Sequence, residues 1–256
     1  MALVTTEAVV LHAFDYMESS RIYRLLTRDR GLQSALAKGA RRARGKVGSS
    51  VDLFAQGEVQ LYVKPGRDLH NMAAFDVTRS RTALVAVPGR FTAAAALAEL
   101  VLRFMQEDLV GGPAVFYAVV QGLDTIGAAD APSAREAGLA AAWSLVAELG
   151  FAPEIESCSS CHTPVDPQTS AAFSYPAGGV LCERCARAGS AKRMLPPRAR
   201  EALVRWVAGK RAAIPDDSDA RAHQRLLREF VAEHLTESKE LRAFAVWESG
   251  AWDASP

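Results

Sequence analysis

The first eighty or so residues alternate between apolar and polar positions with a period of two. Val4, Thr6, Ala8, Val10, His12, Phe14 and Tyr16 fall on one face of an extended segment over 3–16, which predicts a strand. Arg21–Thr27 and Leu32–Lys38 predict two more, joined at Asp29-Arg30-Gly31, where glycine is free to take a positive φ. Phe54–Val63 sets Val59, Leu61 and Val63 on one side, Pro65-Gly66 marks a turn, and Leu69–Val77 predicts a fifth strand. No helix-length segment separates these strands, so they predict a small barrel rather than an open α/β sheet.

Near Pro88-Gly89 the period becomes helical. Leu97, Leu100, Val101, Phe104, Met105 and Leu109 follow i, i+3, i+4 spacing, with Thr92 as the expected N-cap. Gly111-Gly112-Pro113 ends that helix and opens the next, and Leu139–Leu149 predicts a third, closed by Gly150. Pro197–Ala208 and Asp219–Leu235 predict two more, the last with Ala222, Leu226, Phe230 and Val231 on one face. The expected organisation is a multidomain α+β chain: a barrel over 1–80, a helical bundle in two parts over 81–150 and 193–256, and a cysteine-bearing insert over 151–192. The tail after Gly250 is expected to fray.

Of the 256 residues, 49% are hydrophobic and 23% charged, which supports a packed core and excludes a collagen-like or wholly disordered chain. The richest apolar stretch, Phe91 to Leu102, is interrupted by Glu99 and ended by Arg103, so no membrane span is expected. The N-terminus lacks the basic start and apolar centre of a secretion signal. A soluble, cytoplasmic protein is the expectation. Net charge is +1, but residues 1–90 carry 14 Lys+Arg against 8 Asp+Glu. Arg21, Arg24, Arg28, Arg30, Lys38, Arg41, Arg42, Arg44 and Lys46 face Asp29 alone, a field that attracts polyanions. A solvated basic surface is the bland alternative. The run from Lys38 to Ser50 is rich in Gly, Ser and Ala between long cationic arms and has no apolar periodicity, which suits a phosphate backbone better than a core.

All four cysteines stand as Cys158-Ser159-Ser160-Cys161 and Cys182-Glu183-Arg184-Cys185. Each Cys-x2-Cys knuckle can turn both sulfurs to one centre, and two knuckles supply the tetrahedral thiolates that Zn2+ prefers, in a closed and therefore structural site. Disulfides and a thioredoxin-like redox pair fit less well, given the cytoplasmic reading and the missing βαβ context. An iron–sulfur cluster fits the same spacing. His162 adjoins Cys161 but is not needed to complete the shell.

Catalytic signatures are missing. No G-x-G-x-x-G joins a strand to a helix, and Gly39 to Lys46 fails as a phosphate-binding loop in glycine spacing and in having Val47 where Ser or Thr must reach Mg2+. G-x-S-x-G and H-E-x-x-H are likewise missing. His12, His70, His162, His223 and His234 are scattered, and Glu99, Glu107 and Asp108 read as solvated helix-face acids.

Glu18-Ser19-Ser20-Arg21 leading into Thr27-Arg28-Asp29-Arg30-Gly31, and Ala37-Lys38-Gly39-Ala40-Arg41-Arg42 after the third strand, resemble the bacterial RecO family of DNA-repair recombination mediators. The order of barrel, helical region and two-knuckle insert agrees with it along nearly the whole chain. Ser20 departs from the acid frequent there, and not every member keeps the four cysteines. The resemblance implies an N-terminal five-stranded OB-fold barrel, a helical domain and a zinc-ribbon-like module with one structural Zn2+ on Cys158, Cys161, Cys182 and Cys185. It implies a non-enzymatic protein that binds single- and double-stranded DNA, anneals complementary strands, works with RecR, contacts the acidic C-terminal tail of single-strand-binding protein, and helps recombinase replace that protein on DNA.

Arg24, Lys38, Arg41, Arg42 and Arg44, with Lys46 in the same run, are the expected phosphate contacts, and Arg67, Arg79 and Arg81 are the next candidates. Tyr16, Tyr23 and Tyr62 are candidates to stack on bases, or else barrel packing. An RNA-binding OB-plus-zinc protein and a protein-interaction scaffold remain alternatives at this point.

Overall fold

The computed structural model describes residues 2–40, 51–105, 112–130, 133–189, 193–234 and 240–250. The alternating N-terminal segment forms β1 (Ala2–Tyr16), β2 (Ser20–Thr27), β3 (Gly31–Ala37), β4 (Gln56–Val63) and β5 (Leu69–Arg79). They close into a barrel in the order β1-β2-β3-β5-β4. Among the described residues its pairings are antiparallel except β3 with β5, which run parallel with Ser34 opposite Leu69 and Leu36 opposite Asn71. Five strands closed through this crossover make the OB-fold. Ala8, Val10, Tyr23, Leu25, Ala35, Val59, Leu61 and Phe75 fill its interior. β4 and β5 approach so closely at Gly57 that a Cβ there would sit 2.3 Å from the Asp76 carbonyl oxygen.

β1 does not keep one face inward. The register with β2 shifts between Val10 and His12, leaving Leu11 as an extra residue. Such a bulge reverses the phase of every later side chain. Thr6, Ala8 and Val10 point in, as the alternation predicts, but His12, Phe14 and Tyr16 point out to solvent. Val9 and Leu11 instead join Leu26, Leu32 and Phe54 in the core shared with the helices.

The helical part comprises α1 (Thr82–Ala86), α2 (Pro88–Phe104), α3 (Gly112–Ala128), α4 (Ala134–Glu148), α6 (Pro197–Val207), α7 (Asp217–His234) and α8 (Arg242–Ser249), with the short α5 (Glu183–Ala188) in the cysteine region. α2 opens at Pro88, so Thr92 is not its N-cap; the Thr92 hydroxyl donates to the Pro88 carbonyl inside the first turn. Leu109, Gly111 and Leu235, read as helix-end positions, lie outside the described residues. α4 ends as expected, with Gly150 at φ 88° and its N–H bonded to the Ala147 carbonyl. α4 is buried along most of its length by Ala137, Gly138, Leu139, Ala142, Trp143, Leu145 and Val146. Its small residues let neighbours approach closely: a Cβ on Gly138 would lie 2.7 Å from the Trp247 ring of α8 and 2.9 Å from Ala93 of α2.

Between α4 and α6 the chain makes a second sheet, β7-β6-β8, from β6 (Ala171–Ser174), β7 (Gly179–Leu181) and β8 (Arg193–Leu195). Phe173, Tyr175, Val180 and Leu195 from this region belong to the helical core. Among the described residues no helix is long and apolar enough to cross a membrane.

Candidate nucleic-acid interface and metal centre

Beyond the bulge, the outer barrel wall carries a continuous cross-strand row: His12 on β1, Arg24 on β2, Ser34 on β3 and Leu69 on β5. The next row is Phe14, Ile22, Leu36 and Asn71, and Tyr16 lies opposite Ser20. Arg24 Nη1 donates to Ser34 Oγ at 2.8 Å, which holds the guanidinium along the wall. The His12 and Phe14 rings lie 5.8 Å apart, and Phe14 and Tyr16 stay 44% and 38% exposed. Exposed aromatic faces beside an anchored cation are the elements of single-strand recognition, one for bases and the other for phosphate. His12 and Phe14 were not among the expected contacts. Their alternation with Tyr16 was visible, but the phase reversal that turns them outward was not.

The other expected contacts divide. Lys38 is exposed just past β3, and Arg67 is exposed in the β4–β5 turn, where Gly66 has φ 72°. Because β3 and β5 are parallel, these two cations sit toward opposite ends of the same strand pair. Arg41, Arg42, Arg44 and Lys46 lie outside the described residues. Arg79 is half-exposed and paired with Asp124 at 2.6 Å. Arg81 is a correction: it is buried, donating to Asp124 Oδ1 at 2.8 Å, the Phe54 carbonyl at 2.9 Å and Gln56 Oε1 at 2.7 Å. These bonds join barrel to α3 and leave no face for a phosphate. Tyr23 fills the barrel interior and is no stacking platform, while Tyr62 is exposed opposite Leu3, at the far end of β1 from Arg24. Asp29, the lone acid of the basic window, is held below the usual carboxylate range by hydrogen bonds from Arg28 and Thr6.

The four cysteines converge. Their sulfurs all lie within 4.8 Å of one another, and Cys161 Sγ is 3.7 Å from Cys182 Sγ. A tetrahedron of thiolates about 2.3 Å from a central Zn2+ has edges of roughly 3.8 Å, so the donor set fits that ion. The first knuckle is shaped by the His162 N–H bonding the Cys158 carbonyl at 2.8 Å, with His162 in the left-handed region at φ 59°. The second lies where β7 passes into α5, with Cys182 as its N-cap and Cys185 in its first turn. The knuckles meet because Ser159 N–H bonds the Val180 carbonyl of β7 at 2.9 Å. Contacts with Thr163 hold Cys161 down at about 5, whereas hydrogen bonding to the neighbouring Cys182 and Cys161 pushes Cys185 up to about 11. Sulfurs this close cannot all ionise without a cation between them.

Residues 1–81 match the family described as recombination protein O N terminal, and residues 87–242 match recombination protein O C terminal. The chain belongs to the recombination protein O family. That places it among the recombination mediators of DNA repair.

In this family member the cysteine module is fastened to the helices by a buried cation that the sequence did not single out. Arg200 of α6 donates to the carbonyls of Ile155, Val165, Asp166 and Thr169, at 2.7 to 3.2 Å. Its place in an Arg-rich helix concealed the role, because only burial distinguishes it from Arg198 and Arg205. On the other side, the Tyr175 hydroxyl donates to Glu229 of α7 at 2.5 Å, and Arg193 approaches the same carboxylate. Burial, reinforced by Glu229, pushes the Tyr175 phenol up to about 12. Glu99, read as a solvated acid, accepts the N–H groups of Arg242, Ala243 and Phe244 at 3.0, 3.0 and 3.2 Å and so caps α8.

Proposed function

We propose that the chain is a non-enzymatic recombination mediator that binds single- and double-stranded DNA without strong sequence preference and anneals complementary strands. The observation that carries this reading is the outer wall of β1–β2–β3, where Arg24 lies opposite exposed His12 in line with exposed Phe14 and Tyr16 further along β1, with Lys38 and Arg67 toward its ends. The run Arg41, Arg42, Arg44 and Lys46 follows Lys38 in the chain and adds positive charge. Cations on phosphate bind without reading sequence. They also lower the repulsion between two approaching strands, so annealing needs no ATP. The barrel wall grips the strands, and one Zn2+ on Cys158, Cys161, Cys182 and Cys185 is structural, supplying fold rather than chemistry. The partners in this reading are RecR and the acidic C-terminal tail of single-strand-binding protein, and the setting is the cytoplasmic nucleoid.

The test is annealing of complementary oligonucleotides coated with single-strand-binding protein, run without ATP. The parent protein accelerates annealing, and a variant carrying Arg24→Glu with Arg41, Arg42 and Arg44 reversed to Glu does not. With about five phosphate contacts, log K for single strands falls against log salt with a slope near −3.5. Equal annealing rates in parent and variant overturn the reading.

A further inference from the structure

We propose that single-stranded nucleic acid leaving the barrel wall enters the cleft between barrel and helices, and that Arg103 and Arg242 are its phosphate contacts on the helical side. This rests on the DNA-binding reading above and extends it to residues that reading does not use. The cleft, of about 760 Å3, is bounded by β1 and β2 on one side and by α2 and the start of α8 on the other. His12 and Arg24 line both the exposed barrel wall and this cleft, so the two surfaces are continuous. Val51 and Leu53, between β3 and β4, also lie on the cleft wall.

The lining has the composition that single strands require. Half-buried Phe91 and Leu102, packed over the fully buried Leu11 and Phe54, provide an apolar floor, and Arg21, Arg24, Arg103 and Arg242 stand around it. A strand whose bases are unstacked can lay them on such a floor while its phosphates meet the rim, whereas a duplex keeps its bases paired. Two acids share the lining, Asp52 and Glu99. Glu99 is already engaged by three backbone N–H groups of α8. On the helical side the cations are weakly held: Arg103 donates one long bond, 3.5 Å, to the Glu240 carbonyl, and Arg242, 85% exposed, stands 3.9 Å from the Glu240 carboxylate. Both can turn to a phosphate without breaking the fold. An acidic peptide would use the same rim but has no bases for the floor.

The experiment is fluorescence anisotropy on the full chain with a labelled oligothymidine of about 20 nucleotides, titrated over salt, beside a blunt hairpin duplex and a polyglutamate peptide. The Arg103→Glu/Arg242→Glu variant is expected to lose about tenfold in oligothymidine affinity. Its log–log salt slope should shrink by about 1.4, the value for two lost single-strand contacts. The hairpin should change little, and Arg103→Lys/Arg242→Lys should keep the parent slope. Unchanged oligothymidine affinity and slope in the double-Glu variant, alongside a loss in Arg24→Glu, overturns the cleft while sparing the barrel. Equal losses for hairpin and oligothymidine reduce the effect to general charge and overturn it too. Loss of polyglutamate binding alone assigns the rim to a peptide. A parent protein that fails to bind oligothymidine at low salt defeats the DNA-binding reading, and this inference with it.

Discussion

His223 stands on α7 with its ring against the Trp206 indole at 4.7 Å, and almost none of it reaches solvent. Its Nδ1 has no hydrogen-bond partner. Burial pulls its pKa down to about 4; Asp219 works against this shift and Arg193 with it. The unfolded chain takes up this proton near pH 6.5 and the folded chain only near 4, so stability is lost as pH falls between those values. At pH 5 the expected loss is about 2 kcal/mol. Urea unfolding at pH 7.5 and 5 checks it: His223→Phe should lose less than the parent by about that amount, and parallel losses in both proteins would discount His223 as the cause. Arg81, Arg200 and Arg24 make a related point. In the sequence they are three arginines in basic surroundings. In the fold Arg81 and Arg200 are buried, Arg81 held by carbonyl and side-chain acceptors and Arg200 by four backbone carbonyls, and Arg24 lies along an open wall beside His12. Residue type told that cations were present. Burial decided which of them face solvent.

At the scale of elements, β1 shows both the strength and the limit of periodicity. Alternation over 3–16 is enough to predict a strand, and the pattern up to Val10 gives the correct inward face. One extra residue at Leu11 then inverts the rest, and no feature of the alternation marks it. The energetic cause is tertiary: Leu11 gains burial in the helical core, at the outer side of the barrel. α8 has a similar dependence. Its own N-cap position, Leu241, offers no side-chain acceptor, and the acceptor comes from Glu99, 143 residues earlier in the chain. A carboxylate at a helix N-terminus contributes about 1 to 2 kcal/mol through hydrogen bonds and the helix dipole. Glu99→Ala is therefore expected to destabilise the fold by about that much in chemical denaturation, with Glu99→Gln intermediate because it keeps acceptor oxygen but loses charge. Because α8 buries Phe244 and Trp247, the tryptophan emission should shift with the same transition. An Ala variant as stable as the parent would remove the cap from the account.

For the whole molecule, the cysteine centre is a joint as well as a local fold. Cys158 and Cys161 lie within a segment that Arg200 pins to α6 on both sides, at Ile155 and Val165, while Cys182 and Cys185 follow β7, whose Val180 belongs to the helical core. Chelation, or Cys182→Ser, should therefore lower the melting temperature of the helical part and expose the segment 155–189 to protease, while oligonucleotide affinity of the barrel falls by no more than about threefold. Elemental analysis of the parent protein is expected to find one zinc per chain, and a chain purified without bound metal that melts like the parent would contradict the assignment. Sequence alone determined the features that depend on near neighbours: period-two strands, helical faces, turns at glycine, the paired-cysteine knuckles and the basic window. Those follow from chain geometry within a few residues, which spacing reports directly. Tertiary structure alone decided that β3 would meet β5 in parallel to close the barrel, that β1 would turn its aromatic end outward, and which arginines would be buried. Each of those choices is made by apolar burial and hydrogen-bond saturation between segments remote in sequence, and such partners leave no periodic trace in either segment.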